Sequence, residues 1–195
     1  MTDVRLMAKA ADGLAEIVRD IKPDRLGDPT PCGEYDVRKL INHLLFWGPS
    51  LEGAARKETV PPPAAAETEM DLTGGDWSAA LLAQVERIAA AWGQPAAWEG
   101  STHMGGPTEM PAALVGAMIV TELVVHGWDL ARATGQERSW DDEVVGYLLD
   151  RVGTFAEQGR QLGVFGPVVP VPDTAPALDR VLGITGRDPG WAAAR

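Results

Sequence analysis

Apolar residues recur at helical spacing along almost the whole chain, whereas alternation at period two is hard to find. This pattern favours helices packed on helices, because an apolar stripe of that period buries itself against another such surface. The first stripe, Leu6, Met7, Ala10, Leu14, Ile17 and Val18, predicts a helix from about Asp3 to Ile21. Lys22-Pro23 ends it, since proline disfavours helical backbone in the residue before it. After a turn at Thr30-Pro31-Cys32-Gly33, Asp36 is placed to cap a second helix carrying Val37, Leu40, Ile41, Leu44, Leu45 and Leu51. Thr59 to Gly75, with three consecutive prolines, reads as a long connection. Asp76 caps a third helix, Trp77 to about Trp92, and a glycine-rich loop runs from Gly93 to about Met110. Pro111 suits the first turn of a fourth helix that reaches about Thr134 and stops at Gly135. Asp141-Asp142 opens a fifth, about Glu143 to Gln161. A proline-broken extended stretch follows from Gly163, and Asp173 or Thr174 caps a short final helix to about Leu182. No internal repeat or change of composition divides the chain. The expectation is a single all-α domain over residues 1–195, a four-helix bundle of two antiparallel pairs with additional short C-terminal helices.

With 45% hydrophobic residues, a chain of 195 can bury one sizeable core. A net charge of -11 argues against nucleic acid and anionic membrane as partners, because both require a basic face. No apolar run approaches the roughly 20 residues that span a bilayer, and the first residues lack the basic-then-apolar order of a secretion signal. One cysteine, Cys32, cannot form an internal disulfide, which suits a reducing cytoplasm. These features describe a cytoplasmic, acidic, globular protein, monomeric or homodimeric.

The chemistry concentrates on the fourth helix. Four residues turn a helix by about 400°, so Glu122 and His126 lie within about 40° of each other and one turn apart. Their surroundings are apolar, with Val115, Met118 and Val125 near the stripe and Leu114, Val120 and Val124 around the helix. A helix apolar around most of its circumference is buried, and a carboxylate and an imidazole on its inward face need a partner. Helix two offers His43, set among Leu40, Leu44 and Trp47. Two histidines and one carboxylate from facing helices form a facial set that suits zinc, iron(II), nickel or manganese and leaves positions for water and substrate. The same residues fit a buried Glu122–His126 ion pair with His43 as an unrelated core histidine, and spacing alone does not separate the two readings.

The segment Thr30-Pro-Cys-Gly-Glu-Tyr-Asp-Val-Arg-Lys-Leu-Ile-Asn-His43 resembles the opening of the second helix in DinB-like metal-binding proteins. Within that group the pattern is similar to the N-terminal domain of mycothiol-dependent maleylpyruvate isomerase. Glu122-Leu-Val-Val-His126-Gly-Trp-Asp-Leu-Ala-Arg-Ala-Thr-Gly135 resembles its second signature, and Phe165-Gly-Pro-Val-Val-Pro-Val-Pro172 with Gly186-Arg-Asp-Pro-Gly-Trp191 resembles a short, single-domain branch. The resemblance implies a DinB-like four-helix bundle holding one divalent metal at His43, Glu122 and His126. Zinc is the usual ion in such proteins, with nickel or iron as alternatives. It also implies mycothiol as a cosubstrate in the handling of a small molecule. The isomerase carries a further C-terminal domain that helps to bind mycothiol and substrate, whereas a shorter segment follows the second motif here. Metal-dependent thiol transfer or isomerisation is therefore the implied class, without maleylpyruvate as the implied substrate. The alternative is a non-catalytic metal- or ligand-binding protein, such as a resistance factor.

Two further residues are candidates for catalysis. Asp129, three residues after His126, suits a carboxylate behind the metal ligands or a general base, and equally a surface pair with Arg132. His103, in the loop Ser101-Thr-His-Met-Gly-Gly, suits a fourth ligand or proton shuttle, although a solvated loop histidine is the more frequent case. Cys32 precedes helix two, where a helix N-terminus can lower a thiol pKa. Eleven residues at helical rise put it roughly 16 Å from His43, so it reads as a turn or packing residue. Among seven tryptophans Trp47 stands one turn from His43 and can wall a substrate pocket, with core packing the default for each of the seven. Asp141, Asp142 and Glu143 read as helix-start charges.

Overall fold

The computed structural model describes residues 2–33 and 35–193. Its frame is formed by α1 (Thr2–Asp20), α2 (Val37–Ala55), α3 (Trp77–Trp92) and α4 (Ala112–Ala133). Helix α1 packs on α3 and α4, and α2 packs on the same two, so the all-α bundle anticipated from the periodicity is formed. The α1 stripe from Leu6 to Val18 is buried, as are Leu40 and Ile41 of α2 and Leu81 and Ile88 of α3. Asp36 caps α2 by accepting the Lys39 N–H at 2.8 Å, and Asp76 caps α3 by accepting the Ala79 N–H at 3.0 Å.

Helix α4 is the most enclosed. By length and composition it could cross a membrane, with a mean hydropathy of 1.4 over its most apolar window, which corrects the expectation that no segment reaches that length. In the fold, 78% of that window is buried, so the bundle itself accounts for the apolarity. Close packing here depends on missing side chains. A Cβ on Gly127 of α4 would stand 2.7 Å from the Trp140 ring, and one on Gly13 of α1 would stand 2.4 Å from it. Glycine at both positions lets the indole enter between the helices.

Three segments depart from the sequence reading. The loop after α3 contains a 3-10 turn, Pro95–Trp98, and a hairpin of β1 (Ser101–His103) and β2 (Glu109–Pro111). Strands of three residues are too short for alternation to be legible, and this hairpin is held from below, where Thr102 donates to the Ala54 carbonyl at 2.6 Å. The expected fifth helix is broken into α5 (Asp142–Val152) and α6 (Ala156–Gln161). Thr154 donates to the Arg151 carbonyl at 2.7 Å, and Phe155 turns into a small cluster with Ala117 and Val152. Finally, α7 spans Ala177–Ile184 with Pro176 at its N-terminal boundary, and neither Asp173 nor Thr174 caps it. The fixed φ of proline takes over the role assigned to a capping side chain.

The connection after α2 is tied down. Asn42, buried on α2, donates to the Glu67 carbonyl at 3.2 Å and accepts the Leu72 N–H at 2.7 Å. This fixes a 3-10 turn, Glu67–Glu69, against the helix beside His43.

Candidate metal centre

Helices α2 and α4 bring His43, Glu122 and His126 together, a contact that spacing alone left open. Glu122 and His126 sit one turn apart on α4, with Glu122 Oε1 3.5 Å from His126 Nε2. From α2, His43 Nε2 lies 2.8 Å from the same oxygen. The two imidazole centroids are 5.2 Å apart with the rings at 70°.

The other nitrogen of each ring is held by a carboxylate. His43 Nδ1 meets Glu67 Oε1 at 2.9 Å, and that oxygen also accepts the Trp47 indole N–H at 2.7 Å. The second Glu67 oxygen accepts the Tyr35 hydroxyl at 3.3 Å, while the Tyr35 ring packs edge-on against His43. His126 Nδ1 meets Asp129 Oδ2 at 3.0 Å. Asp129, wholly buried, is gripped by the Arg187 guanidinium at 3.1 and 3.4 Å. Both Nδ1 atoms face a carboxylate and both Nε2 atoms face Glu122, so Nε2 is the nitrogen each ring would offer to a metal once any proton on it is displaced.

Charge follows this layout. Burial opposes the charged form of Glu122, yet His126, His43 and Arg187 outweigh it and hold the pKa down at about 2. Burial likewise opposes charging of His43, but the bonds to Glu122 and Glu67 prevail and raise it to about 10. Desolvation works against ionised Glu67 too, and His43, Trp47 and Tyr35 together bring its pKa below the usual carboxylate value.

Among the described residues two groupings have metal-ligand types within 4.8 Å of one another: His43, Glu122 and His126, and Cys32, His126 and Asp129. In the second, Asp129 is already paired with the Arg187 cation at 3.1 Å, which competes with a metal for its oxygens. The first is free of that conflict. Donors 2.0–2.2 Å from a tetrahedral ion are about 3.4 Å apart; His126 Nε2 stands 3.5 Å from Glu122 Oε1, while His43 Nε2 is at the shorter hydrogen-bond distance of 2.8 Å. With all three ligand atoms within 4.8 Å of one another, the donor types and their spacing are compatible with a divalent ion.

Asp129 pairs with Arg187 and not with Arg132, which instead donates to the Trp191 carbonyl and lies over the Trp128 ring. His103 stands on β1 and belongs to neither grouping. The hairpin turn after it approaches α2 at Gly105, where an added Cβ would lie 3.6 Å from Trp47. Cys32 proves to lie beside His126 and Asp129. Thr30 Oγ1 lies within hydrogen-bonding distance of both the Cys32 and Tyr35 carbonyls, which ties the turn that carries Cys32. Trp47 is half-buried at the centre, whereas Trp77, Trp92, Trp98, Trp128 and Trp140 are core. Asp141 does serve as a helix-start charge, accepting the Glu143 N–H at 2.9 Å. Sequence reasoning missed Glu67 and Arg187. Neither lies on a periodic stripe with its partner, though Arg187 falls within the Gly186–Trp191 motif.

Fold and site together define a helical-bundle protein with a His–Glu–His cluster seated between two helices. The family described as Mycothiol maleylpyruvate isomerase N-terminal domain matches residues 7–131, and the chain belongs to that family. It is similar to an uncharacterized protein of Mycobacterium tuberculosis strain H37Rv, Rv0738, and to its counterpart in strain CDC 1551, MT0763. Each is 30% identical over 181 residues, covering 92% of this chain and 94% of the relative. The fold is similar to the crystal structure of the mycothiol-dependent maleylpyruvate isomerase, with a TM-score of 0.60 and 13% identity. A histidine-to-alanine mutant of that enzyme gives a TM-score of 0.62 at the same identity. Both matches cover 98% of this chain and 81% of the isomerase, so the likeness in fold continues past the bundle into α5–α7.

Proposed function

We propose that the chain binds one divalent metal through His43, Glu122 and His126, with zinc as the ion the donor set suits best and nickel or iron as alternatives. The observation that carries this reading is the paired tethering: Glu67 and Asp129 hold the two Nδ1 atoms, so both Nε2 atoms converge on one Glu122 oxygen. A buried salt bridge alone has no need of a second carboxylate behind each imidazole. When bound, such an ion lowers the pKa of a thiol or water and keeps positions open for it.

Membership of the family, together with the printed name of the structural neighbours, supports a mycothiol-type thiol as cosubstrate and transfer or isomerisation of a small molecule as the reaction class. The residues divide the work. His43, Glu67 and Glu122 each keep about a fifth of their side-chain surface open, 18%, 22% and 24%, so the approach for a small molecule lies on their side. Asp129, with no exposed surface, orients His126 and is closed to proton exchange with a substrate. His103 is left without an assigned step.

Metal analysis of the wild type beside His43→Ala and Glu122→Ala tests the coordination. One equivalent in the wild type and loss in both variants is expected, and full retention in both overturns it. Incubation with mycothiol and a panel of small electrophiles tests the reaction: metal-dependent conjugation or isomerisation is expected, and its absence across the panel removes the enzymatic reading.

A further inference from the structure

Arg187 lies outside residues 7–131, on the segment after α7, and its 5% exposure makes it the most deeply buried guanidinium among the described residues. Local backbone chemistry places it there. Gly186 adopts φ +84 at the end of α7, with the Gly186 N–H bonded to the Gly183 carbonyl and the Arg187 N–H to the Leu182 carbonyl at 2.8 Å. This is a Schellman turn, in which a left-handed residue reverses the chain and the next residue packs back on the helix end. A Cβ at Gly186 would also stand 2.7 Å from the Gly166 backbone, so the extended stretch before α7 closes over the turn. The turn delivers Arg187 to Asp129, and its third nitrogen, Nη1, donates to the Thr185 carbonyl at 3.0 Å.

We infer that Arg187 is a positioning residue of the metal centre, acting through Asp129 to fix the His126 ring, so that the segment after α7 completes a site otherwise built by α2, α4 and the Glu67 turn. This rests on the metal reading above. Two arguments carry it. The Arg187 fork grips both oxygens of Asp129, and one of these, Oδ2, is the atom that meets His126 Nδ1. A rotation of the carboxylate released from that fork would turn the imidazole with it. Charge balance gives the second. A divalent ion would stand among the carboxylates of Glu67, Glu122 and Asp129. Its two charges and the one on Arg187 neutralise the three, whereas without Arg187 the buried cluster carries a net negative charge.

The test compares Arg187→Met, Arg187→Lys and wild type by zinc affinity in chelator competition and by the absorption bands of the cobalt(II) form. Arg187→Met is expected to weaken zinc binding about ten- to hundred-fold and to shift the cobalt bands, as loss of an outer-shell partner does. Arg187→Lys restores charge without the fork, so it should recover part of the affinity and leave the bands shifted. A purely structural role would lower the melting temperature and leave the cobalt spectrum of the folded protein unchanged, and that result overturns the inference. Should Arg187→Met fail to fold, Arg187→Lys decides, since wild-type affinity and spectrum there equally overturn it. A wild type that takes up neither zinc nor cobalt removes the metal reading itself and the inference with it.

Discussion

The two imidazoles of the site are held in the same manner by very different surroundings. On the α2 side, His43 leans on Glu67, a carboxylate from a proline-rich connection that is partly open to solvent and steadied by Trp47 and Tyr35. On the α4 side, His126 leans on Asp129, which has no exposed surface and is neutralised by a guanidinium from the other end of the chain. The first arm is partly open to solvent. The second is rigid and integral to the core. A carboxylate on a surface turn can lose its partner to water at little cost, whereas a buried one cannot.

The largest expected effect breaks that contrast or secures it. Asp129→Ala strands Arg187 as a buried, unpaired charge and should lower folding stability by about 3–5 kcal/mol. Glu67→Ala leaves no such charge and should cost about 1 kcal/mol or less. Urea unfolding of the two metal-free variants beside wild type measures this directly. Equal losses would show that the two arms do not differ in the way their burial suggests.

Next comes metal affinity. Glu67→Gln keeps the shape of the side chain but replaces a charged acceptor, and should weaken zinc binding about ten- to hundred-fold while leaving the fold intact. Chelator competition checks it. Unchanged affinity would remove Glu67 from the site and leave the Asp129 arm as the only one that supports a ligand.

How legible each arm was in the sequence follows from the same contrast. Asp129 stands three residues from His126 on one helix, so periodicity alone placed it near the ring, and Glu122 was legible for the same reason. Glu67 is 24 residues from His43 in a stretch without period, where a carboxylate reads as a solvated charge. Arg187 is 58 residues from Asp129, and no local rule connects them. The four bundle helices and the caps at Asp36 and Asp76 were legible because long amphipathic stripes and N-caps are local physics. The short hairpin, the break at Gly153 and the position of Cys32 depend on what packs against them, and local spacing carries no record of that.

Acidity offers a smaller effect on the metal-free protein. The folded pKa of His43, about 10, lies above its ordinary 6.5, so the stability it contributes is complete below pH 6.5 and is lost as pH rises through 10. Glu122 has the opposite sign. Its pKa is held at about 2 against an ordinary 4.5, so its contribution is present above pH 4.5 and fades as pH falls toward 2. Urea unfolding from pH 6.5 to 10 should therefore show a decline of about 1–2 kcal/mol after allowance for solvent screening. Glu67→Gln should flatten that decline, because one of the two carboxylates that stabilise charged His43 is gone. A decline unchanged by Glu67→Gln would mean that Glu122 alone governs His43.

The smallest effect separates the two supports of the exposed arm. The Tyr35 hydroxyl reaches Glu67 Oε2 at 3.3 Å, a long contact, whereas the Trp47 N–H reaches Oε1 at 2.7 Å, the same oxygen that meets His43. Tyr35→Phe keeps the ring against His43 and removes the long bond. It should cost about 0.5–1 kcal/mol in unfolding and leave zinc affinity within roughly five-fold of wild type. Trp47→Phe removes the short bond and should weaken zinc further, because Oε1 is the atom that sets the angle of the imidazole. If Tyr35→Phe proves the more damaging of the two, the connection is held from its outer edge and not through Trp47. The exposed arm would then be adjustable at Trp47, the residue that the hairpin turn at Gly105 approaches from above.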